Sequence, residues 1–216
     1  MLGDYRGRGS CMSEFSLYAI DHDALETTVL HVLKAIGDHD RSKWSAVVSE
    51  LRRYKLTDPF EEEPLTARSI PSWDDARLIV ALRELTRLRA LRKFVGGLGR
   101  MNAWLVDLPL RVTIASEGER AEFAAFDTLL LRSSRPWPRH LAFLMDPDAR
   151  CSYMAPDDAV ALADAVVTNG YLRRAATDCM SSLNEPECGG FLAALADFIA
   201  SVGHAGQALY YHELRT

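Results

Sequence analysis

Apolar residues along this chain recur at two periods, and the switches between them divide it into elements. Phe15 to Ile20 alternates weakly and stops at Asp21, the pattern of a first β-strand. Leu25, Val29, Val32, Leu33 and Ile36 then fall on one helical face, with Asp23 as N-cap and Gly37 just past the end. Asp40 caps a second helix whose buried stripe is Trp44, Val47, Val48, Leu51 and Tyr54, and a short turn pairs the two. Periodicity is lost from Thr57 to Pro71, where Pro59, Pro64 and Pro71 flank Glu61, Glu62 and Glu63, a surface-loop composition and the best internal boundary.

Ser72 and Asp75 form a capping-box-like start, and Leu78, Leu82, Leu85, Leu88, Leu91 and Val95 predict the longest helix of the chain, closed by Gly96-Gly97-Leu98-Gly99. Ala103 to Val106 and Leu110 to Ala115 read as two strands around Pro109. Ser116 and Glu119 open a helix through Phe123, Phe126 and Leu130, with a strand in the same place as the alternative. Arg132 to His140 is a Ser/Pro/Arg loop, and Leu141 to Met145 a short buried strand.

Cys151 to Val167 combines an extended segment, a proline turn and an amphipathic helix. Pro156 takes the first helical position, Asp157 and Asp158 the first turn, and Ala159, Val160, Ala163, Val166 and Val167 the apolar positions. Asn169-Gly170 ends that helix. Tyr171 to Leu183 is again helical, and a last helix starts at Asn184 and Glu187, carries Leu192, Leu195, Ile199 and Val202, and stops at Gly203. Gln207 to His212 reads as a terminal strand. The sum is a predominantly helical α+β fold with a small mixed or antiparallel sheet, a single domain over 15–216 behind a Gly- and Arg-rich leader at 1–14.

Composition narrows the picture. The 216 residues are 48% hydrophobic, enough for a continuous core. A net charge of −5 disfavours general nucleic-acid binding, which requires a basic surface. Residues 73–100 depart from that balance, with seven basic side chains against three acidic ones, or +4. No stretch reaches the roughly 18 apolar residues of a membrane span, and no secretory signal is visible, so a cytoplasmic location is expected. Cys11, Cys151, Cys179 and Cys188 lack zinc-site and disulfide-framework spacing and read as reduced thiols.

Candidate chemistry is sparse. Asp21-His22-Asp23 and Asp38-His39-Asp40 are explained by helix capping, and Gly96 to Gly99 closes a helix where a phosphate loop would open one. Ser133, Ser134, Cys151, Cys179 and Cys188, with His140 and His204 as bases, are the raw material for a hydrolase or transferase, without a signature around any of them. Neither a metal nor a cofactor is indicated. Arg83 and Arg87 on the basic helix suit an acidic partner or, as a further reading, nucleic acid. Arg135, Trp137, Arg139 and His140 stand in a loop stiffened by Pro136 and Pro138, the residue types of interface hot spots.

Tyr153-Met154-Ala155-Pro156-Asp157-Asp158 and its Ala/Val-rich helix resemble the Tyr-Leu-Ser/Thr-Pro-Glu-Glu segment of small bacterial α+β proteins of unknown function, many encoded beside polymorphic toxins and considered immunity proteins. Tyr18-Ala19-Ile20-Asp21, Lys43-Trp44, and the closing helix, Gly203-His204-Ala205-Gly206 turn and Gln207-Ala208-Leu209 strand are similar in order. Trp73 to Leu131 is unmatched, and Ala155 removes a capping hydroxyl, worth about 1 kcal/mol. The resemblance implies an α+β fold and a binding role, the neutralisation of a cognate toxin, and carries no functional residues with it. Glu61, Glu62, Glu63, Arg83, Arg87, Arg135, Trp137, Arg139 and His140 are therefore the expected partner-binding residues.

Overall fold

The computed structural model describes residues 13–31, 44–55, 74–98, 105, 108–129 and 151–215. Four strands, β1 (Ser13–Ile20), β2 (Arg92–Leu98), β3 (Cys151–Met154) and β4 (Ala208–Arg215), form an antiparallel sheet in the order β2-β1-β4-β3. The helices are α1 (His22–Leu25), which runs into a π-helical turn at Glu26–Leu30, α2 (Trp44–Arg53), α3 (Asp75–Leu88), α4 (Leu108–Arg111), α5 (Glu117–Leu129), α6 (Pro156–Thr168), α7 (Tyr171–Ser181) and α8 (Pro186–His204). The expected class, predominantly helical α+β, is the one observed.

Both faces of the sheet are covered. Leu17, Ala19, Met154, Leu209 and Tyr211 point into one core against α4 to α8. Tyr18, Ile20, Cys151, Tyr153, Ala208 and Tyr210 point into the other, against α1, its π-helical turn, α2 and α3. Strands covered on both faces have no need of a polar face, which explains the weak alternation of β1.

In the first layer α8 packs against α6 and α7. A Cβ on Gly203 would lie 2.9 Å from the Ala159 carbonyl oxygen and collide with Ala163 Cβ, so this glycine is where α8 approaches the backbone of α6. It sits inside the helix, correcting the expectation that Gly203 ends it. The turn instead falls at Gly206, with φ +62.

Several other expectations are corrected. Asp21, not Asp23, caps α1, accepting the Ala24 amide at 3.1 Å. Asp74 caps α3 through the Arg77 amide at 2.8 Å. That helix has 14 residues and is shorter than α8, which has 19. It stops at Leu88 although the leucine spacing continues, because the next residues are recruited to β1. The Leu91 amide donates to the Ala19 carbonyl at 2.9 Å, and Arg92 to Leu98, with Gly96 and Gly97, is an edge strand.

Leu105 and Leu108–Arg111 are helical where strands were expected around Pro109, while Ala103, Trp104 and Val106 lie outside the described residues. The segment after Ser116 takes the helical alternative: Ser116 Oγ accepts the Glu119 amide at 3.1 Å, and Glu119 accepts the Ala115 amide at 2.6 Å. α8 begins at Pro186 behind Glu185, with Asn184 in a left-handed conformation at φ 54. Ser13 and Glu14, assigned to the leader, pair with Arg215 and Leu214. Val160 and Val167 of α6 are exposed, while Ala159, Leu162, Ala163 and Val166 are buried.

Candidate functional site

Side chains two residues apart on a strand share a face, and antiparallel pairing lines them up across the sheet. Here that geometry assembles a polar row under α3. Lys93 on β2 lies opposite Tyr18 on β1, Tyr18 opposite Tyr210 on β4, and Tyr210 opposite Tyr153 on β3. One step further along β4, His212 lies opposite Ser16 on one side and Cys151 on the other.

Ring contacts join Lys93, Tyr18, Tyr210 and His212. The Lys93 ammonium stands 5.6 Å over the Tyr18 ring, the Tyr18 and Tyr210 centroids are 6.1 Å apart, and Tyr210 stacks on His212 at 6.1 Å. At the β3 end the Tyr153 hydroxyl is 2.7 Å from His22 Nδ1, with the rings stacked, so the first turn of α1 closes the row. Burial pushes the Tyr153 and Tyr210 phenols up, and both stay protonated at neutral pH.

The Tyr153 hydroxyl has a well-directed partner. The Tyr18 and Tyr210 hydroxyls, beside Arg87 and Cys151 respectively, and His212 Nδ1 are buried without a well-directed hydrogen bond. Buried tyrosine hydroxyls ordinarily find one, and each unmet group costs about 1–3 kcal/mol. Three such atoms on adjoining strands are an exception requiring a cause.

Above them α3 presents Arg83, Glu84 and Arg87. Arg87 grips Glu84 through two hydrogen bonds, one at 2.8 Å from Nε to Oε2 and a second from Nη2 to Oε1. Glu84 raises the Arg87 pKa, and the Tyr18 hydroxyl adds to the effect from nearby without a well-directed hydrogen bond. Burial holds the His212 imidazole below its ordinary pKa. Glu84 opposes that shift, while Arg87, Arg83 and Lys93 add to it, so the neutral ring predominates at pH 7.

Arg83 and Arg87 are thus half-buried over the sheet, where a free basic face was expected. The solvent side of this region is apolar: Val80 is 36% exposed, Leu88 38% and Leu91 54%. Leu91 also lines, with Ile20, Asp21, Ala24, Leu25, Thr86 and Arg89, a cavity of about 150 Å³. The other expected partner-binding residues, Glu61, Glu62, Glu63, Arg135, Trp137, Arg139 and His140, lie outside the described residues, as do Ser133 and Ser134.

Among the described residues, Cys151, Cys179 and Cys188 are buried and form no disulfide with one another. Burial pushes the Cys179 and Cys188 thiols up to about 11, opposite to what a thiolate nucleophile requires. Cys188 donates to Glu185 Oε2 at 3.3 Å, a carboxylate that reinforces the protonated thiol. His204 is exposed at the end of α8. Among the described residues no group of three or more His, Cys, Asp or Glu side chains is arranged to hold a metal ion, and no helix is long and apolar enough to cross a membrane.

Reading residues in isolation missed Tyr18, Tyr210 and His212 as a group. The available signal was the two-residue spacing of Ser16-Tyr18-Ile20 and Ala208-Tyr210-His212, which puts three rings on one face once the strands are paired. Compared with known proteins, the chain matches no family model, and no curated protein or solved structure matches it either.

Proposed function

We propose that this protein is a cytoplasmic protein-binding module, an immunity protein that neutralises a cognate bacterial toxin by binding and occluding it. The observation that carries the reading is the exposed apolar edge at the end of α3, where Leu88 and Leu91 stand in solvent between Arg87, Arg89 and Arg92. Exposed leucines bordered by arginines supply the apolar contact and peripheral charge of a protein interface. The resemblance at Tyr153 to Asp158 supports the same reading, since that segment builds the β3–α6 junction. The raised Cys179 and Cys188 thiols weigh against these two residues as nucleophiles.

Co-expression with the product of the neighbouring gene tests the proposal. The wild-type chain is expected to rescue growth and to co-purify with that product. Leu88→Asp and Leu91→Asp, checked for native circular dichroism, are expected to abolish both. Rescue that survives both substitutions removes the α3 edge from the interface, and absence of both rescue and co-purification removes the function.

A further inference from the structure

We infer that Asn169 is a site of chemical modification: its side-chain amide is lost through a succinimide formed with Gly170, and the resulting aspartate and isoaspartate alter the joint between α6 and α7. The inference goes beyond the immunity reading and does not rest on it.

The sequence supplies the reacting pair. Deamidation begins when the backbone nitrogen of the following residue attacks the asparagine side-chain carbon, and a glycine there leaves the approach open because it has no Cβ. Asn169 precedes Gly170, whereas Asn102 precedes Ala103 and Asn184 precedes Glu185.

The fold leaves this pair free to react. Asn169 closes α6 at φ −90 and ψ −34, and its amide donates to the Ala165 carbonyl at 2.8 Å. On the far side the Arg174 amide donates to the Gly170 carbonyl at 2.8 Å. Between these anchors, the Asn169 carbonyl and the Gly170 N–H make no hydrogen bond among the described residues. Bringing the Gly170 nitrogen over Asn169 Cγ requires this peptide group to turn, with Asn169 ψ and Gly170 φ changing in opposite senses. Gly170 stands at φ 69, as a glycine it tolerates either sign, and a Cβ placed on it would meet nothing within 4 Å.

The side chain is as little restrained. It makes no hydrogen bond among the described residues and rests on Gly118, in the first turn of α5. A Cβ on Gly118 would collide with Asn169 Oδ1 and lie 2.9 Å from Cγ, while Nδ2, the departing atom, is farther away at 3.5 Å. Asn169 and Gly170 are half-buried and follow the exposed Val167 and Thr168, so water reaches them.

The step consumes water and needs no oxidant. The Gly170 nitrogen bonds to Asn169 Cγ, the Cγ–Nδ2 bond breaks, and the amide proton leaves with Nδ2 as ammonia. Water then opens the ring at Cγ, giving aspartate, or at the backbone carbonyl carbon, giving isoaspartate. Either product is a carboxylate at neutral pH, placed against the first turn of α5, which already carries Glu117 and Glu119. Isoaspartate also adds a methylene to the main chain just ahead of the Tyr171 and Leu172 amides, both of which donate to Glu122.

The experiment incubates the full chain in mildly alkaline buffer, with and without urea, following each asparagine by peptide mapping and isoaspartate by enzymatic methylation. In the folded chain the amide-to-acid mass gain is expected at Asn169 ahead of Asn102 and Asn184, with isoaspartate at the same position. Asn169→Gln, whose longer side chain closes the ring far more slowly, should show no gain there. The isoaspartate form is expected to melt below Asn169→Asp, which carries the charge without the added methylene. Reaction in urea but not in the folded chain, or a rate at Asn184 equal to that at Asn169, overturns the inference. A melting point equal to that of Asn169→Asp overturns the effect on the joint. Should either variant fail to fold, the peptide map of the wild-type chain decides alone.

Discussion

Glu122 caps a helix that begins 49 residues after it: its Oε2 accepts the Tyr171 amide at 2.8 Å, and its Oε1 accepts the Leu172 amide at 3.0 Å. Gly170, which precedes α7, is left-handed at φ 69 and has no side chain to offer. The first amides of α7 are therefore satisfied from α5, and the carboxylate sits at the positive end of the α7 dipole. Tyr171 completes the joint by donating its hydroxyl to the Val112 carbonyl at 2.9 Å.

Removing this cap exposes two buried donors. Glu122→Ala is expected to lower stability by about 2–3 kcal/mol, and Glu122→Gln, which keeps one acceptor, by about 1 kcal/mol. Urea unfolding measures both, and equal stability of Glu122→Ala and wild type would show that the amides find other partners.

One turn earlier on α5, Glu119 responds oppositely to its surroundings. Arg174 donates to both of its oxygens, at 2.8 and 2.7 Å, and holds the carboxyl below its ordinary 4.5, whereas burial raises Glu122 above the same value. Glu119 therefore contributes stability that is present above pH 4.5 and lost as pH falls through its lowered pKa. Glu122 contributes stability that is present below pH 4.5 and lost as pH rises through its raised pKa. Unfolding free energy measured from pH 3 to 7 should lose its acid-side slope in Glu119→Gln and its opposing slope in Glu122→Gln. Slopes unchanged from wild type in both variants contradict the assignment.

Gly203→Ala places a methyl group against Ala163 Cβ and the Ala159 carbonyl, at a helix crossing with no flexible side chain to yield. A loss of about 1–3 kcal/mol is expected. A thermal midpoint within error of wild type would mean that α8 shifts freely over α6.

Ala155 offers the reverse opportunity. It holds the extended N-cap conformation of α6, at φ −64 and ψ 162, without a side-chain hydrogen bond. Ala155→Ser is expected to stabilise the protein by about 1 kcal/mol, seen as a higher urea midpoint, and a lower midpoint refutes the capping argument.

These cases show what the sequence made legible. β1, β3, α6 and β4 could be read because local signals, a Pro at the first helical turn and a run of apolar residues, agree with the tertiary result. α3 and β2 could not be separated, since Leu82, Leu85, Leu88 and Leu91 keep helical spacing across the break. The deciding interactions are distant: the Leu91 amide on Ala19, and Arg92 on the Ser201 hydroxyl at 3.0 Å and on Gln207 at 2.8 Å. The polar row was hidden for the same reason, because Tyr18, Tyr210 and Cys151 become neighbours only through strand pairing. Arg83 and Arg87 stood out as basic residues, but not as half-buried side chains over the sheet.

The strand order carries a kinetic consequence. β4 lies between β1 and β3, pairing Ile20 with Ala208 and Tyr153 with Tyr210, so β3 has no place in the sheet until β4 has inserted. Such distant pairing closes late, after the local helices have formed. Until then one edge of β1 stands open as a slot, and any extended segment offered to it competes with β4 for the same backbone groups.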